Sequence, residues 1–262
     1  LMMETDRLRE ELLTLVRSLR SQLELERDLH RPLSWLAVGA EKTTPPGKEP
    51  PVPEKETSAV PGALSIGEGS AQNGRSLDEI FRDVEHCSLC SLGKTRRNLV
   101  FGEGSPCAEL VFVGEAPGAE EDLQGRPFVG RAGKLLTRII DAMGLKRENV
   151  YICNILKCRP PGNRNPLPEE IAACEPHLVQ QLEAIRPRVI CALGTFAAQT
   201  LLKKKGTPIT VLRGRFHDYH GIPLMPTYHP AYLLRNPAAK KQAWEDVQKI
   251  MKVLGEENSG ET

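Results

Sequence analysis

The sequence lacks long hydrophobic runs and any sign of an export signal. No apolar stretch in its 262 residues approaches the roughly 18 residues that a membrane-spanning helix needs. The first residues are charged throughout and include no apolar region of the kind found in signal peptides. We therefore expect a cytoplasmic protein without membrane segments, in a compartment where thiols stay reduced.

Nucleotide-binding signatures and a strong charge bias are also missing. The glycine-rich segment 114–130 reads G-E-A-P-G-A-E-E-D-L-Q-G-R-P-F-V-G, which matches neither the dinucleotide fingerprint nor the phosphate-binding loop. This argues against an enzyme that uses a nucleotide cofactor. The net charge is only +1. Such a balance does not by itself indicate nucleic acid, although a local basic patch can still bind phosphates.

The residues that are present divide the chain into a helix, a linker, one domain and a short tail. Residues 1–36 contain a leucine stripe, which predicts an amphipathic helix: Leu8, Leu12, Leu15 and Leu19. Residues 37–75 are rich in Pro, Gly, Glu, Lys and Ser, which predicts a flexible, disordered linker. We expect residues 76–255 to form the folded domain and residues 256–262 to form a flexible tail.

Within the domain, short apolar strands alternate with helices. The predicted strands are 110–113, 150–155, 189–193 and 223–225, and the predicted helices are 133–143, 168–185, 195–202 and 237–254. This alternation indicates an α/β fold with three αβα layers and a central, mainly parallel four-stranded sheet. Ligands bind outside the carboxyl ends of parallel strands. We therefore expect the site in the loops that begin at Gly114, Asn154, Gly194 and Thr227.

Seven cysteines in a reducing compartment indicate a metal, a redox role or burial rather than disulfides. Cys87 and Cys90 form a C-x2-C pair, and the segment R-P-P-G-N-R-N-P lies between Cys158 and Cys174. Four thiolates can hold a structural Zn²⁺ or an iron–sulfur cluster. The spacing alone does not decide between the two.

Two polar residues lie at the ends of predicted strands. Asn154 opens the segment N-I-L-K-C-R-P-P, and His229 opens H-P-A-Y-L-L-R. An Asn side chain offers a donor and an acceptor together, which suits the edge of a nucleobase. A His at a strand end can donate to a developing anion. Either residue alone is more often structural, but their placement at the same edge of the sheet favours a site.

Taken in order, G-E-A-P-G…G-R-P-F-V-G, N-I-L-K-C-R-P-P and H-P-A-Y-L-L-R resemble the motifs of the family 4 uracil-DNA glycosylases. The resemblance extends from about residue 76 to residue 254 and includes the cysteine spacing. It implies a DNA repair enzyme that flips uracil out of uracil-containing DNA and hydrolyses its N-glycosidic bond, leaving an abasic site. A related covalent branch carries a K-R-R-I-H insertion. Because this sequence lacks the insertion, we expect turnover.

The resemblance also implies the residues of the site. The ligands of a [4Fe–4S] cluster are expected to be Cys87, Cys90, Cys158 and Cys174. The uracil-binding residues are expected to be Glu115, Ala116, Pro117, Phe128, Asn154 and His229. The catalytic groups are expected to be Glu115, Glu121 and His229. Basic residues near the predicted loops are candidates for DNA phosphate contacts, namely Lys157, Arg159, Arg213 and Arg235.

In this pocket each side chain has a separate task. Phe128 would stack on the flipped base, and Asn154 would read its O4 and N3 edge. His229 would donate to O2, where negative charge develops. Either Glu115 or Glu121 could polarise the attacking water.

Two other classes of protein share part of this pattern. A non-catalytic iron–sulfur or zinc DNA-binding module associated with replication needs the cysteines and basic residues, but not the pocket of Phe128, Asn154 and His229. A small redox protein needs the cluster alone. For this chain we also expect a monomer, with the N-terminal helix as the candidate segment for binding a protein partner.

Overall fold

A computed structural model describes residues 75–255 of the chain. The predicted N-terminal helix, the predicted linker up to residue 74 and the predicted tail from residue 256 lie outside these residues. In the described part, helices and strands alternate as the sequence predicts. None of the helices found there combines the length and the apolar character needed to cross a bilayer.

Residues 75–255 contain one mixed sheet of six strands. They are β1 (Glu103–Gly104), β2 (Leu110–Gly114), β3 (Tyr151–Asn154), β4 (Val189–Leu193), β5 (His217–Tyr219) and β6 (Ile222–Thr227), in the order β1-β3-β2-β4-β6-β5. The central strands β3, β2, β4 and β6 run parallel, which confirms the predicted four-stranded centre. The edge strands β1 and β5 are antiparallel and were not predicted. At two and three residues, they are too short to show a periodic pattern.

Helices cover both faces of the sheet. In the described range they are α1 (Leu77–Glu85), α2 (Ala119–Gln124), α3 (Arg131–Ala142), α4 (Pro168–Ile185), α5 (Thr195–Leu202), α6 (Ile209–Leu212), α7 (Pro230–Arg235) and α8 (Lys240–Gly255). Short 3₁₀ turns occur at Ser91–Lys94, Arg147–Asn149, Pro161–Asn163 and Pro237–Ala239. The predicted bounds of α4 and α5 are correct. The predicted helix at 237–254 begins as a 3₁₀ turn and continues as α8.

Alternate side chains of the central strands face two separate cores. Val111 and Val113 of β2 belong to the core that includes α4 and α5. Leu110 and Phe112 belong to the core on the other face, with α3 and α8. All four are at most 1% exposed. A parallel sheet is normally buried on both faces in this way, and the predicted three-layer αβα architecture is confirmed.

The parallel order brings the ends of four strands to one edge of the sheet. Gly114 at the end of β2 is paired in register with Asn154 at the end of β3. The N–H of Ile155 donates to the Gly114 carbonyl at 3.0 Å, and the N–H of Gly194 donates to the Thr227 carbonyl at 2.8 Å. The loops after β2, β3, β4 and β6 therefore start side by side, as the strand pattern predicts.

Arg213, directly after α6, forms an ion pair inside the fold. Its guanidinium donates to both carboxylate oxygens of Asp246 on α8, at 2.7 and 3.0 Å, and lies 5.1 Å from the ring centroid of Tyr228. Asp246 is fully buried and also accepts from the Thr227 hydroxyl at 2.7 Å. These contacts are those of a structural ion pair, and the predicted DNA contact of Arg213 stays a prediction. Its side chain is only 14% exposed and ties α8 to the end of β6.

Candidate functional site

Gly114 lies where two predicted pocket residues meet. A side chain at this position would overlap both Oδ1 of Asn154 and the ring of Phe128. Asn154 is 1% exposed and Phe128 is 6% exposed. The close approach therefore requires glycine, and the structure brings Asn154 and Phe128 together against the end of β2.

The side-chain amide of Asn154 has an unused acceptor. Its Oδ1 is buried and has no hydrogen-bond partner among the residues that the structure describes. An unpaired buried polar atom costs about 1–3 kcal/mol, so each such atom in a native protein calls for an explanation. A ligand that presents hydrogen-bonding groups to this amide would supply the missing bond.

Phe128 is held in a strained backbone conformation. Its φ of 51° lies in the left-handed region, which costs a residue with a side chain about 1–3 kcal/mol. Nη1 of Arg147 donates to the Phe128 carbonyl at 3.1 Å, and the same guanidinium donates to the carbonyl of Pro127. Gly133 lies so close to the Phe128 carbonyl that no side chain fits there. These contacts hold the backbone from which the Phe128 ring projects.

Sequence reasoning missed the supporting roles of Arg147 and Gly133. Arg147 lies in a surface turn, and its sequence neighbourhood matches no motif. It also pairs with Glu103, which accepts from its Nε at 3.0 Å. No signal in the linear sequence connects these residues to Phe128, because the contacts form only after the chain has folded.

Glu121 closes the loop that carries Phe128. Its carboxylate accepts from the backbone N–H groups of Gly118 at 3.1 Å, Val129 at 3.0 Å and Gly130 at 2.9 Å. Hydrogen bonds to an ionised group are roughly twice as strong as neutral ones. The contacts of Glu121 are therefore those of a positioning residue, which differs from its predicted role as a catalytic group.

Glu115 directly follows Gly114 at the same edge of the sheet. The N–H of Leu156 donates to the Glu115 carbonyl at 3.1 Å, so its backbone is fixed between β2 and the loop after β3. Its side chain is half-buried, and burial raises the pKa of the carboxyl to about 6. Ala116 is half-buried and Pro117 is buried beside it. A carboxyl that ionises near neutral pH is suited to polarise a water molecule.

His229 caps α7 and has a defined tautomer. Its Nδ1 accepts from the N–H of Ala231 at 3.1 Å, so the proton of the neutral ring lies on Nε2. Its ring centroid lies 5.6 Å from that of Phe128, with the planes tilted by 32°. Burial lowers the pKa of His229 to about 4, helped by the charge of Arg235 and opposed by Glu121. At neutral pH the ring is therefore an uncharged hydrogen-bond donor.

The four predicted cysteine ligands line one cavity. These residues, all free thiols, are Cys87, Cys90, Cys158 and Cys174. They come from three places, because the first pair follows α1, Cys158 follows β3 and Cys174 lies on α4. Within residues 75–255, no three His, Cys, Asp or Glu side chains meet the geometry for one bound metal ion.

Hydrogen-bond donors point at two of these sulfur atoms. Nη1 of Arg96 lies 3.2 Å from Sγ of Cys158, and the backbone N–H of Lys157 lies 3.3 Å from Sγ of Cys174. Burial raises the pKa of both thiols, to about 11 for Cys174, whereas Arg96 acts in the opposite direction on Cys158. Donors of this kind stabilise thiolate ligands. The residues present therefore fit a thiolate-bound metal group.

Lys157 is buried and cannot reach a DNA backbone. It is 1% exposed, and its Nζ donates to the backbone carbonyl of Asn154 at 2.7 Å and to Oε1 of Gln181 at 2.5 Å. This corrects the predicted phosphate contact of Lys157. Arg159 is half-buried and Arg235 is exposed at the end of α7, so their DNA contacts stay predictions.

Comparison with known proteins identifies several similar chains. The family model described as the uracil DNA glycosylase superfamily matches residues 101–248. The type-4 uracil-DNA glycosylase of Archaeoglobus fulgidus is 48% identical over 187 residues, which cover 69% of this chain and 94% of that protein. The type-4 uracil-DNA glycosylase of Saccharolobus solfataricus is 48% identical over 187 residues, which cover 68% of this chain and 87% of that protein. The type-4 uracil-DNA glycosylase of Thermotoga maritima is 48% identical over 184 residues, which cover 69% of this chain and 96% of that protein.

We expect the His229 imidazole to stay neutral down to about pH 4, because burial disfavours the charged ring. Nitrogen NMR of the labelled ring should show the proton on Nε2 at pH 7 and protonation of Nδ1 near pH 4. The folded-state pKa is lower than the usual value of about 6.5, so protons favour the unfolded chain between these two values. His229 should therefore lower the free energy of unfolding as the pH falls through this window. A midpoint near 6.5 would contradict the assigned contacts.

Proposed function

The chain belongs to the uracil DNA glycosylase superfamily, and on this premise we propose that it removes uracil from DNA by hydrolysing the N-glycosidic bond. The products are free uracil and an abasic site. The observation that carries the proposal is the convergence of Phe128, Asn154 and His229 at one edge of the sheet, with an unpaired acceptor on Asn154.

Hydrolysis of this bond sets three requirements for the protein. The bond between C1′ and N1 breaks with its electron pair going to the base, while water adds to C1′ and loses a proton. The sugar becomes cation-like and the base becomes an anion. The base must first leave the DNA stack, which costs a few kcal/mol. The pocket must then hold the base, distinguish uracil from cytosine and stabilise the departing anion.

Phe128 and Asn154 meet the requirements of binding and discrimination. The ring of Phe128, fixed by its backbone, offers a stacking surface, and stacking contributes about 1–3 kcal/mol per base. Oδ1 of Asn154 accepts from N3–H of uracil, and its amide nitrogen donates to O4. Cytosine presents the reverse pattern at these two positions, so a fixed amide rejects it.

His229 and Glu115 act on the charges that develop during the reaction. The neutral His229 ring donates from Nε2 to O2 of uracil, where negative charge accumulates as N1 departs. Glu115, when ionised, polarises the attacking water and stabilises the cation-like sugar. Glu121 contributes by holding the loop of Phe128 in place.

The four cavity-lining cysteines are the ligands that we propose for a [4Fe–4S] cluster. They are Cys87, Cys90, Cys158 and Cys174. The type-4 resemblance and the donors to two of the sulfur atoms support this assignment. When bound, the cluster supplies a cross-link between the segment after α1, the loop after β3 and α4. The chemistry of base removal is carried by the protein side chains.

Residues 76–255 are the part of the chain that we propose to be sufficient for activity, because every group assigned above lies there. DNA backbone contacts are assigned to Arg159 and Arg235 on this surface. The alternative of a non-catalytic DNA-binding module gives no reason for a buried, unpaired Asn154 acceptor beside Phe128. An excision assay with uracil-containing oligonucleotides, followed by alkaline cleavage of abasic sites, distinguishes the two functions.

Asn154→Asp should abolish most uracil excision and also weaken the preference for uracil. An ionised Asp can only accept, so it would repel O4, and a pocket built on hydrogen bonds loses up to ~10⁴ in discrimination when the pairing is lost. His229→Ala should slow excision by about 10²–10³ while preserving the preference, because it removes a donor to the leaving anion. Single-turnover rates on uracil and cytosine substrates measure both effects.

The controls for this comparison use the same two substrates. The full chain and a truncated chain that begins at Ser76 should release uracil at similar rates. If Asn154→Asp excised uracil at the unmodified rate, base recognition would have to be assigned to another residue.

The excision rate should rise with pH through about 6, since Glu115 acts as a carboxylate and its pKa lies near that value. Glu115→Gln should lower the rate and remove this acidic limb from the pH profile. Single-turnover rates from pH 5 to pH 8 provide the measurement. If the acidic limb persisted unchanged in Glu115→Gln, it would have to be assigned to the titration of another group.

Purified protein should be brown, with broad absorption near ~400 nm and iron and sulfide in equal amounts, because four thiolates of this kind hold a [4Fe–4S] cluster. Cys158→Ser should lose colour and iron. Cys107→Ser is the matched control, since Cys107 is exposed and does not line the cavity. A colourless protein with one tightly bound zinc would refute the cluster.

A further inference from the structure

Lys157 is a buried basic residue with two well-defined acceptors. Its Nζ donates to the backbone carbonyl of Asn154 at 2.7 Å and to Oε1 of Gln181 at 2.5 Å. Burying an amino group is costly unless its donors are paired. The side chain has only 1% exposure, so its role must be sought inside the protein.

Gln181 connects this amino group to the rest of the domain. It lies on α4 and is fully buried. Its Nε2 donates to the Phe101 carbonyl at 3.0 Å and to the Tyr151 hydroxyl at 3.2 Å. The carbonyl of Asn154 is therefore tied, through Lys157 and Gln181, to α4 and to the first residue of β3.

We propose that Lys157 is a positioning residue for base recognition, which acts by holding the Asn154 carbonyl rather than by touching DNA. The inference rests on the proposed function. The amide oxygen of Asn154 has no partner among the described residues, so the backbone and the close approach to Gly114 set its position. The hydrogen bond from Lys157 fixes the peptide plane from which that side chain leaves the strand. An error of about 1 Å in such a position can cost 10²-fold in rate.

The same residue contacts the cysteine cavity through its backbone. The N–H of Lys157 lies 3.3 Å from Sγ of Cys174, and the next residue along the chain is Cys158. Lys157 thus contacts the cysteine cavity with its backbone and Asn154 with its side chain. One residue therefore contacts both the cysteine cavity and the end of β3 that carries Asn154.

A double-mutant cycle with Asn154 tests whether Lys157 acts through it. Lys157→Met removes the donor but keeps a long apolar stem. In the otherwise unchanged chain, single-turnover uracil excision should fall about 10–100-fold, which is the effect of a small misplacement. The dissociation constant of free uracil should rise by a similar factor. In the Asn154→Ala background, Lys157→Met should cause no further loss of excision, because the amide that it positions is absent.

Several outcomes would overturn this role. An equal loss in both backgrounds would mean that Lys157 supports the fold in general. A loss of iron from Lys157→Met would show that the substitution acts on the cysteine cavity. Unchanged binding of free uracil to Lys157→Met would show that the Asn154 amide is positioned without Lys157. Lys146→Met is the matched control, because the Lys146 side chain is exposed and pairs with Glu148 at 3.9 Å, and the excision rate of this variant should not change.

A second variant covers the case in which Lys157→Met does not fold. Gln181→Leu removes one acceptor of Nζ and leaves the bond to Asn154, so it should cause a smaller loss that also vanishes in the Asn154→Ala background. A loss that persists in that background would overturn the inference. Failure of the proposed function is distinguishable, since the unmodified chain would then release no uracil.

Discussion

The meeting of Asn154 and Phe128 at Gly114 is the contact on which the rest of the site depends. Parallel strands in register place Gly114 and Asn154 side by side, and only a hydrogen atom fits where the amide oxygen and the aromatic ring approach. The surrounding polar residues keep this arrangement in place. Glu121 closes the loop that carries Phe128, and Arg147 donates to carbonyls of that loop. Lys157 donates to the backbone carbonyl of Asn154 at the end of β3. A base-sized ligand therefore meets a surface that is already formed.

Burial shifts two acid–base groups at this edge in opposite directions. It raises the pKa of Glu115 to about 6 and lowers the pKa of His229 to about 4, because a low-dielectric site disfavours both charged forms. Between these values both groups are neutral. Above about pH 6 the carboxylate is charged while the imidazole remains a neutral donor. One physical cause thus produces both charge states that the proposed mechanism uses, an ionised Glu115 and a neutral His229.

The sequence predicted those features that depend on local pattern. The four central strands are apolar on both faces, so their positions and the residues at their carboxyl ends could be read from the chain. The directions of Lys157 and Arg213 could not, since a basic residue in a loop shows no periodicity that reveals which way it points. The role of Glu121 was equally hidden. Its three backbone donors are as many as nine residues away and converge only when the loop closes.

The left-handed backbone of Phe128 lowers the stability of the fold at a position that the proposed activity needs. Glycine adopts this conformation without strain, so a redesign guided by folding free energy alone would select Phe128 for replacement. Glycine would also remove the ring that we propose as the stacking surface for the base. Proteins commonly carry such strain where a working surface demands it, and stabilising changes there are costly to function. Substitutions that raise the thermal stability of this fold should therefore be placed in its two cores and at its helix ends, away from the loop between Glu121 and Gly133.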